Sequence, residues 1–297
     1  MTDHWTSREP AGRIAYVNGR YLPHGQAGVH VEDRGLQLGD SIYEVVGVQD
    51  GHFFDEEEHL DRLERSLREI GMAMPMGRAA IKLVTRELAR RNDLKNGFIY
   101  MQVTRGAVRR DHPIPAKVPR PTLIMTARAR SPQSVRKMLD DGIKVATQPD
   151  QRWGRCDIKT TQLLANALAK TEARKTGSYE AWLVDAAGNI TEGASTTAWI
   201  VDAKGQLRTR ELSHAILPGV TRRVILEVAA EAQLPVVQMM FSVNDALAAK
   251  EAFISSASGS AVPVTTINGQ PVGDGRPGPV TRRIQELYAA HATQKAH

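Results

Sequence analysis

Lys159 lies in the stretch Arg152-Trp153-Gly154-Arg155-Cys156-Asp157-Ile158-Lys159-Thr160, where three basic side chains fall within eight positions beside an acid and an indole. The stretch follows a strand-like run, Ile143-Lys144-Val145-Ala146-Thr147, and precedes a helix-like one. A lysine at such a junction can be lifted out of water and pressed by neighbouring cations. Both effects favour the neutral amine, the form that attacks a carbonyl and forms a Schiff base. The competing reading is a solvated basic loop, and Lys159 alone does not decide between the two.

Two further stretches offer seats for a phosphate. Ile216-Leu217-Pro218-Gly219-Val220-Thr221-Arg222 opens a helix: proline favours the first turn, glycine lets the backbone approach a ligand, and free N–H groups point outward. Ser255-Ser256-Ala257-Ser258-Gly259-Ser260 places small hydroxyls and glycine after a strand, where they can wrap an anion. An ordinary capped helix and a plain turn explain the same residues. Thr191-Glu192-Gly193 puts a glutamate just after a strand, to pair with a ring nitrogen or to sit in water. Arg62, among Asp61, Glu64 and Arg65, is either a ligand-binding cation or part of a solvated i,i+4 network. A loop with Arg105, Arg109, Arg110 and His112 can grip a carboxylate by bidentate pairing, or be a flexible basic loop.

The elements that must position these groups fall into two halves. Ile14–Val17, the turn Asn18-Gly19 and Arg20–Pro23 read as a hairpin, and Ser41–Val48 with Asp50-Gly51 and Phe53-Phe54 as a second. Leu60, Leu63, Leu67 and Ile70 have helical spacing over 56–70, ended by Gly71, and 79–91 is a second amphipathic helix. Strands are expected at 97–104 and 122–127. A first α/β domain is therefore placed at 1–129, a linker at 130–138 around Ser131-Pro132, and a second α/β domain at 139–297. In the second half, helices are expected at about 161–176, from Pro218 through Ala232, and at about 279–292. Strands are expected at 143–147, 180–184, 196–202, 236–240 and 252–255, with a turn at Ala187-Gly188-Asn189. Strand runs with helices between some of them suggest α/β architecture with α+β character, and clefts between domains are where ligands usually bind.

Composition is that of an ordinary globular protein, 41% hydrophobic and 24% charged over 297 residues. The net charge of +6 is mild and spread along the chain. It suits anionic small ligands, whereas a nucleic-acid protein clusters its charge. A single cysteine, Cys156, excludes an intrachain disulfide and suggests a reducing compartment. Met1–Pro10 has no apolar segment of the kind a secretory signal needs, and no run approaches the roughly 18 apolar residues of a membrane span. The expectation is a cytoplasmic protein with no membrane, nucleic-acid or metal partner.

Together, a Schiff-base lysine, two phosphate seats, an acid for a ring nitrogen and a cationic carboxylate trap make up the working parts of a pyridoxal 5'-phosphate enzyme acting on amino acids. The chain indeed resembles the fold-type-IV pyridoxal-phosphate transaminases from about Ala15 to Leu287. The matching stretches are Glu32-Asp33-Arg34-Gly35-Leu36-Gln37-Leu38-Gly39-Asp40, Tyr43-Glu44-Val45, His59-Leu60-Asp61-Arg62-Leu63, Gln102-Val103-Thr104-Arg105-Gly106, Arg152-Trp153, Arg155-Cys156-Asp157-Ile158-Lys159, Thr191-Glu192-Gly193, and Leu217 with Gly219-Val220-Thr221-Arg222.

The resemblance implies a two-domain enzyme with its active site at the domain and subunit interface. Lys159 would bind the cofactor as a Schiff base and carry the proton of the reaction. Glu192 would pair with the pyridine nitrogen. Arg62, Val220, Thr221, Ser256 and the Ala257 position would surround the phosphate, and Leu217 would pack on the ring. Tyr43, Arg110 and His112 would hold the substrate carboxylate, with Arg110 and His112 coming from the other subunit of a homodimer. Arg110-x-His112 is similar to the loop of the D-amino-acid transaminases of this family, which implies ping-pong transfer from a D-amino acid such as D-alanine to a 2-oxo acid such as 2-oxoglutarate.

Two departures stand out. Ser195-Thr196-Thr197 replaces the family's usual Ser-Asn after Glu-Gly-x-x, and Ala257 stands where a threonine hydroxyl is common, leaving that hydrogen bond to Ser258 or water. Weaker cofactor retention is expected from the second. The alternatives on the same scaffold are a branched-chain L-amino-acid transaminase, an (R)-amine transaminase and an aminodeoxychorismate lyase. The alternative outside it is a non-catalytic basic binding protein, supported only by the excess of positive charge.

Overall fold

In the computed structural model, which describes residues 12–257 and 259–295, the chain divides into two compact units. The first ends at Arg130 and also takes in Lys159–Thr161; the second comprises Ser131–Ile158 and the chain from Gln162 onward. Met1–Pro10, read above for a secretory signal, lies outside the described residues.

The first unit is a six-stranded antiparallel sheet in the order Arg20–Pro23, Ile14–Val17, Thr122–Ala129, Gly97–Thr104, Ser41–Gln49, His52–Phe53. Asn18 and Gly19 both have positive φ, 47° and 93°, the geometry a two-residue hairpin turn demands. Helices Glu56–Glu69 and Arg78–Arg91 pack on the sheet. Leu60, Leu63 and Leu67 are each at most 2% exposed, as their spacing requires. Burial of each contributes roughly 1.5–3 kcal/mol.

The second unit is a mixed sheet running Val236–Gln238, Leu207–Thr209, Thr197–Val201, Glu251–Ser256, Gly259–Ile267, Ile143–Pro149, Glu180–Val184, Ile190–Gly193, with Gln270–Pro271 beside Gly259–Ile267. Ile143–Pro149 and Glu180–Val184 are parallel, so the chain between them is a crossover. Helix Leu164–Lys175 lies in that crossover, as does the Arg152–Lys159 stretch in sequence. Trp182 and Phe241 anchor one apolar cluster, and Trp199 and Phe253 another.

Several expectations are corrected. The segment 130–138 is not a linker but mostly helix, Pro132–Asp141. Ser131 caps it by accepting from the Ser134 amide, Pro132 occupies the first turn, and Gly142 at φ 75° follows it. Ser-Pro here is a helix start rather than loop punctuation. The helix expected from 161 starts at Leu164, because Lys159–Thr161 is engaged in β pairing. Glu192 lies inside a fully buried strand, Ile190–Gly193, not after one. The strand Gly259–Ile267 was masked in sequence by its Gly-Ser start and by Pro263.

Candidate active site

In the first unit, the end of strand Ser41–Gln49 beyond its short partner His52–Phe53 carries Lys159. The Tyr43 amide donates to Lys159 O at 3.0 Å, and the Thr161 amide to Ser41 O at 3.2 Å. Ser41 and Thr161 also share a hydroxyl–hydroxyl hydrogen bond. This short pairing holds Lys159 Nζ 4.1 Å from the centre of the Tyr43 ring, which itself stacks on Tyr100 at 5.6 Å. The electron-rich ring face attracts and orients the ammonium. Lys159 and Tyr43, two of the expected site residues, are therefore brought together.

The crowding by cations expected at Lys159 is not what the side chains do. Arg155 is held in a fork by Asp157, at 2.9 and 3.0 Å, and Arg152 is paired with Asp150 and Glu192. Each arginine has its acid two residues away, 150/152 and 155/157, a spacing legible in sequence but not used there. Both guanidinium charges are thus compensated locally.

Strand alternation places Glu44 on the face opposite Tyr43. Glu44 is 1% exposed and accepts from Arg62 Nε at 2.7 Å, Arg62 Nη2 at 2.9 Å and His59 Nδ1 at 2.8 Å. Burial alone would raise its carboxyl, but the Arg62 charge and hydrogen bonds, with His59, outweigh it and hold it far below the usual carboxylate range. Arg62 thus turns inward, away from the solvated network, in which Asp61 and Glu64 instead pair with Arg78. Arg110 and His112 are exposed on the loop after strand Gly97–Thr104. Arg105, grouped with them in sequence, is 1% exposed and bound to Asp40, so it is not part of a surface carboxylate trap.

The second unit gathers Glu192, Leu217 and the helix entrance. The Glu192 carboxylate is ion-paired with Arg152 and accepts from the Leu217 amide at 3.2 and 3.3 Å. Arg152 also binds Asp150 through Nε at 2.9 Å and Nη2 at 2.7 Å, and Thr191 donates to Asp150 at 2.7 Å. Burial pulls the Asp150 carboxyl up, and Arg152 and Thr191 more than reverse it; burial acts against the Arg152 charge, and Asp150 and Glu192 overcome that. Asp150 and Arg152 form a support for Glu192 that the sequence reading missed.

Helix Val220–Glu231 starts directly after Leu217-Pro218-Gly219, and its N-cap, Gly219, provides no side-chain cap. Val220 and Thr221 are buried at 4% exposure. A Cβ on Gly219 would stand 3.2 Å from both Thr197 Oγ1 and Arg222 Cβ, so glycine keeps this entrance open. Thr197 pairs across the sheet with Ser255, next to Ser256 and Ala257. Thr196 Oγ1 is buried with no hydrogen-bond partner among the described residues. Ser258 lies outside the described residues.

A model of the family Amino-transferase class IV matches residues 41–267. D-alanine aminotransferase of Listeria monocytogenes is 35% identical over 94% of this chain and 96% of its own length, and that of Staphylococcus haemolyticus 38% identical over 92% and 95%. Among solved structures, the Escherichia coli branched-chain amino acid aminotransferase superposes with a TM-score of 0.86 at 27% identity, covering 95% of each chain. A branched-chain amino acid aminotransferase from T.th., complexed with N-(5'-phosphopyridoxyl)-L-glutamate, superposes at 0.83 with 25% identity, again covering 95% of each. The chain belongs to the class IV aminotransferases, with the mixed α/β architecture of fold type IV. It is an aminotransferase of the pyridoxal 5'-phosphate-dependent kind, exchanging amino groups between amino acids and 2-oxo acids. The residues present fit that cofactor: a carboxylate suits a protonated ring nitrogen, and an open helix entrance beside buried hydroxyls suits a phosphate. Among the described residues no helix is long and apolar enough to cross a membrane.

Proposed function

We propose that this chain is a D-amino-acid transaminase, moving the amino group of D-alanine or a similar D-amino acid to a 2-oxo acid such as 2-oxoglutarate. The observation that carries the reading is the likeness to D-alanine aminotransferases along more than nine-tenths of the chain, combined with the Arg110-x-His112 loop. The likeness to branched-chain enzymes fits the alternative on the same fold.

When bound, pyridoxal phosphate supplies an electron sink for negative charge developing at the substrate α-carbon. Lys159 would hold the cofactor, and its Nζ would carry the proton between the substrate α-carbon and the cofactor, in one direction in each half-reaction. Tyr43, against which Nζ rests, orients it and shares in binding the substrate carboxylate. Glu192 accepts from the ring nitrogen, and Arg152 and Asp150 keep its carboxylate in place. Leu217 covers the ring. Val220, Thr221, Ser256 and the Ala257 backbone receive the phosphate, with Arg62 assigned there on the strength of the resemblance. Arg110 and His112 bind the α-carboxylate, reaching the site from the second subunit of a homodimer. The single cysteine supports a cytoplasmic location.

Arg110→Ala removes one charged donor to the substrate carboxylate. The loss of such a hydrogen bond costs about 1.5–3 kcal/mol, so kcat/KM for D-alanine falls by roughly 10- to 150-fold. Steady-state kinetics with D-alanine and 2-oxoglutarate check this; unchanged values overturn the carboxylate role.

A further inference from the structure

Arg34 has a guanidinium whose partners are almost all in one loop. It is 4% exposed, and its Nε donates to Asp40 Oδ2 at 2.8 Å. Its Nη1 donates to Asp111 O at 2.7 Å and Pro113 O at 3.2 Å, and its Nη2 to His112 O at 3.2 Å. Three consecutive carbonyls therefore converge on one buried side chain, in a segment that has no ladder of its own to hold it.

The charge balance explains why they converge. Asp40 is shared by two guanidiniums: Arg105 also grips it, through Nε at 2.7 Å and Nη2 at 3.0 Å. One carboxylate beside two buried arginines leaves a positive charge that must be stabilised by dipoles. Arg105 finds the Ile70 and Gly71 carbonyls, and Arg34 finds those of residues 111–113. The docked loop and the buried charge stabilise each other. The base of the loop is held separately, the Arg34 amide donating to Gly106 O at 3.0 Å, the Val108 amide to Glu32 O at 3.3 Å and the Gly106 amide to Thr104 Oγ1 at 3.0 Å. A change of the Arg34 side chain thus frees the 111–113 segment and leaves the base attached.

We propose that Arg34 is a positioning residue for substrate recognition: by gripping the 111–113 carbonyls it fixes the exposed Arg110 and His112 side chains for the substrate carboxylate. This rests on the reading that Arg110 and His112 bind that carboxylate. Lysine in place of Arg34 keeps a charge for Asp40 but lacks the planar fork that serves three carbonyls at once.

The test is a double-mutant cycle on the cofactor-loaded enzyme, with Arg34→Lys, Arg110→Ala and both together, assayed with D-alanine. Trypsin cleavage after Arg109 and Arg110 is followed in parallel. We expect Arg34→Lys to raise the KM for D-alanine roughly tenfold with little change in kcat, a size typical of residues that act through one another. In the Arg110→Ala background the same change adds little, and cleavage of the loop speeds up whenever Arg34 is lysine. Unchanged cleavage, or KM effects that simply multiply in the double variant, overturn the positioning role. An unchanged KM in Arg110→Ala alone overturns the carboxylate reading instead, and with it the functional half of this proposal.

Discussion

Lys159→Ala is expected to leave a folded protein that no longer transaminates, with activity lower by at least about 10²–10⁴-fold, the contribution of a positioned proton-transfer group. The fold is expected to survive because what Lys159 gives the sheet edge is its backbone: its carbonyl accepts from Tyr43, and the neighbouring Thr161 amide donates to Ser41. What disappears is the amine above the Tyr43 ring. The effect is expected to exceed that of any binding residue, since in the proposed mechanism one side chain both anchors the cofactor and moves the proton. Borohydride treatment followed by mass analysis of tryptic peptides checks the anchor: the wild-type protein carries a cofactor adduct on the Lys159 peptide and the variant carries none. An adduct on another lysine, with activity retained, removes Lys159 from the centre of the site.

Arg62→Ala is expected to have the largest effect on stability. Glu44 is 1% exposed and its strongest partner is Arg62, so removing the guanidinium leaves a buried carboxylate with His59 and one long contact from the Val45 amide, at 3.4 Å. Breaking a buried ion pair from one side costs about 3–5 kcal/mol. The pH dependence has a definite sign. Because Arg62 and His59, against the pull of burial, depress the Glu44 carboxyl in the folded protein, its stabilisation is complete above the ordinary glutamate range near ~4.3 and fades as pH falls below it. In Arg62→Ala the same carboxylate is disfavoured by burial and relieved by protonation. The stability gap between wild type and variant is therefore widest near neutral pH and narrows on acidification. Urea unfolding at several pH values measures it, and a gap that stays constant or widens towards low pH contradicts the role given to the pair.

The elements with strong local rules were legible. Asn18-Gly19 dictates its hairpin, and the Leu60, Leu63, Leu67 period dictates the buried face of its helix. Gly219-Val220-Thr221 reads as a helix entrance and is one. What sequence could not supply was the pairing of charges. Arg105 sits in a run of basic residues yet points into the interior, because Asp40, distant in sequence, lies beneath it. Arg62 looks like one member of a surface i,i+4 network, and its partner is Glu44 on another element. Such choices depend on which acid is buried nearby, and only the tertiary structure fixes that. The arginines before Lys159 are the exception, since Asp150 and Asp157, which compensate them, stand two residues away in sequence. The loop around Arg110 shows the same limit. Its side chains could be picked out by type, but the buried arginine beneath them, Arg34, has no local signature of its role.

The most direct test of the account is a half-reaction panel. Cofactor-loaded enzyme is mixed with single amine donors, D-alanine, L-alanine, L-leucine and an (R)-amine without a carboxylate, and loss of the cofactor's visible absorption is followed. The account predicts rapid loss with D-alanine, little with either L-amino acid, and a much slower response to the (R)-amine, which offers Arg110 and His112 nothing to bind. Faster loss with L-leucine or with the (R)-amine than with D-alanine contradicts it.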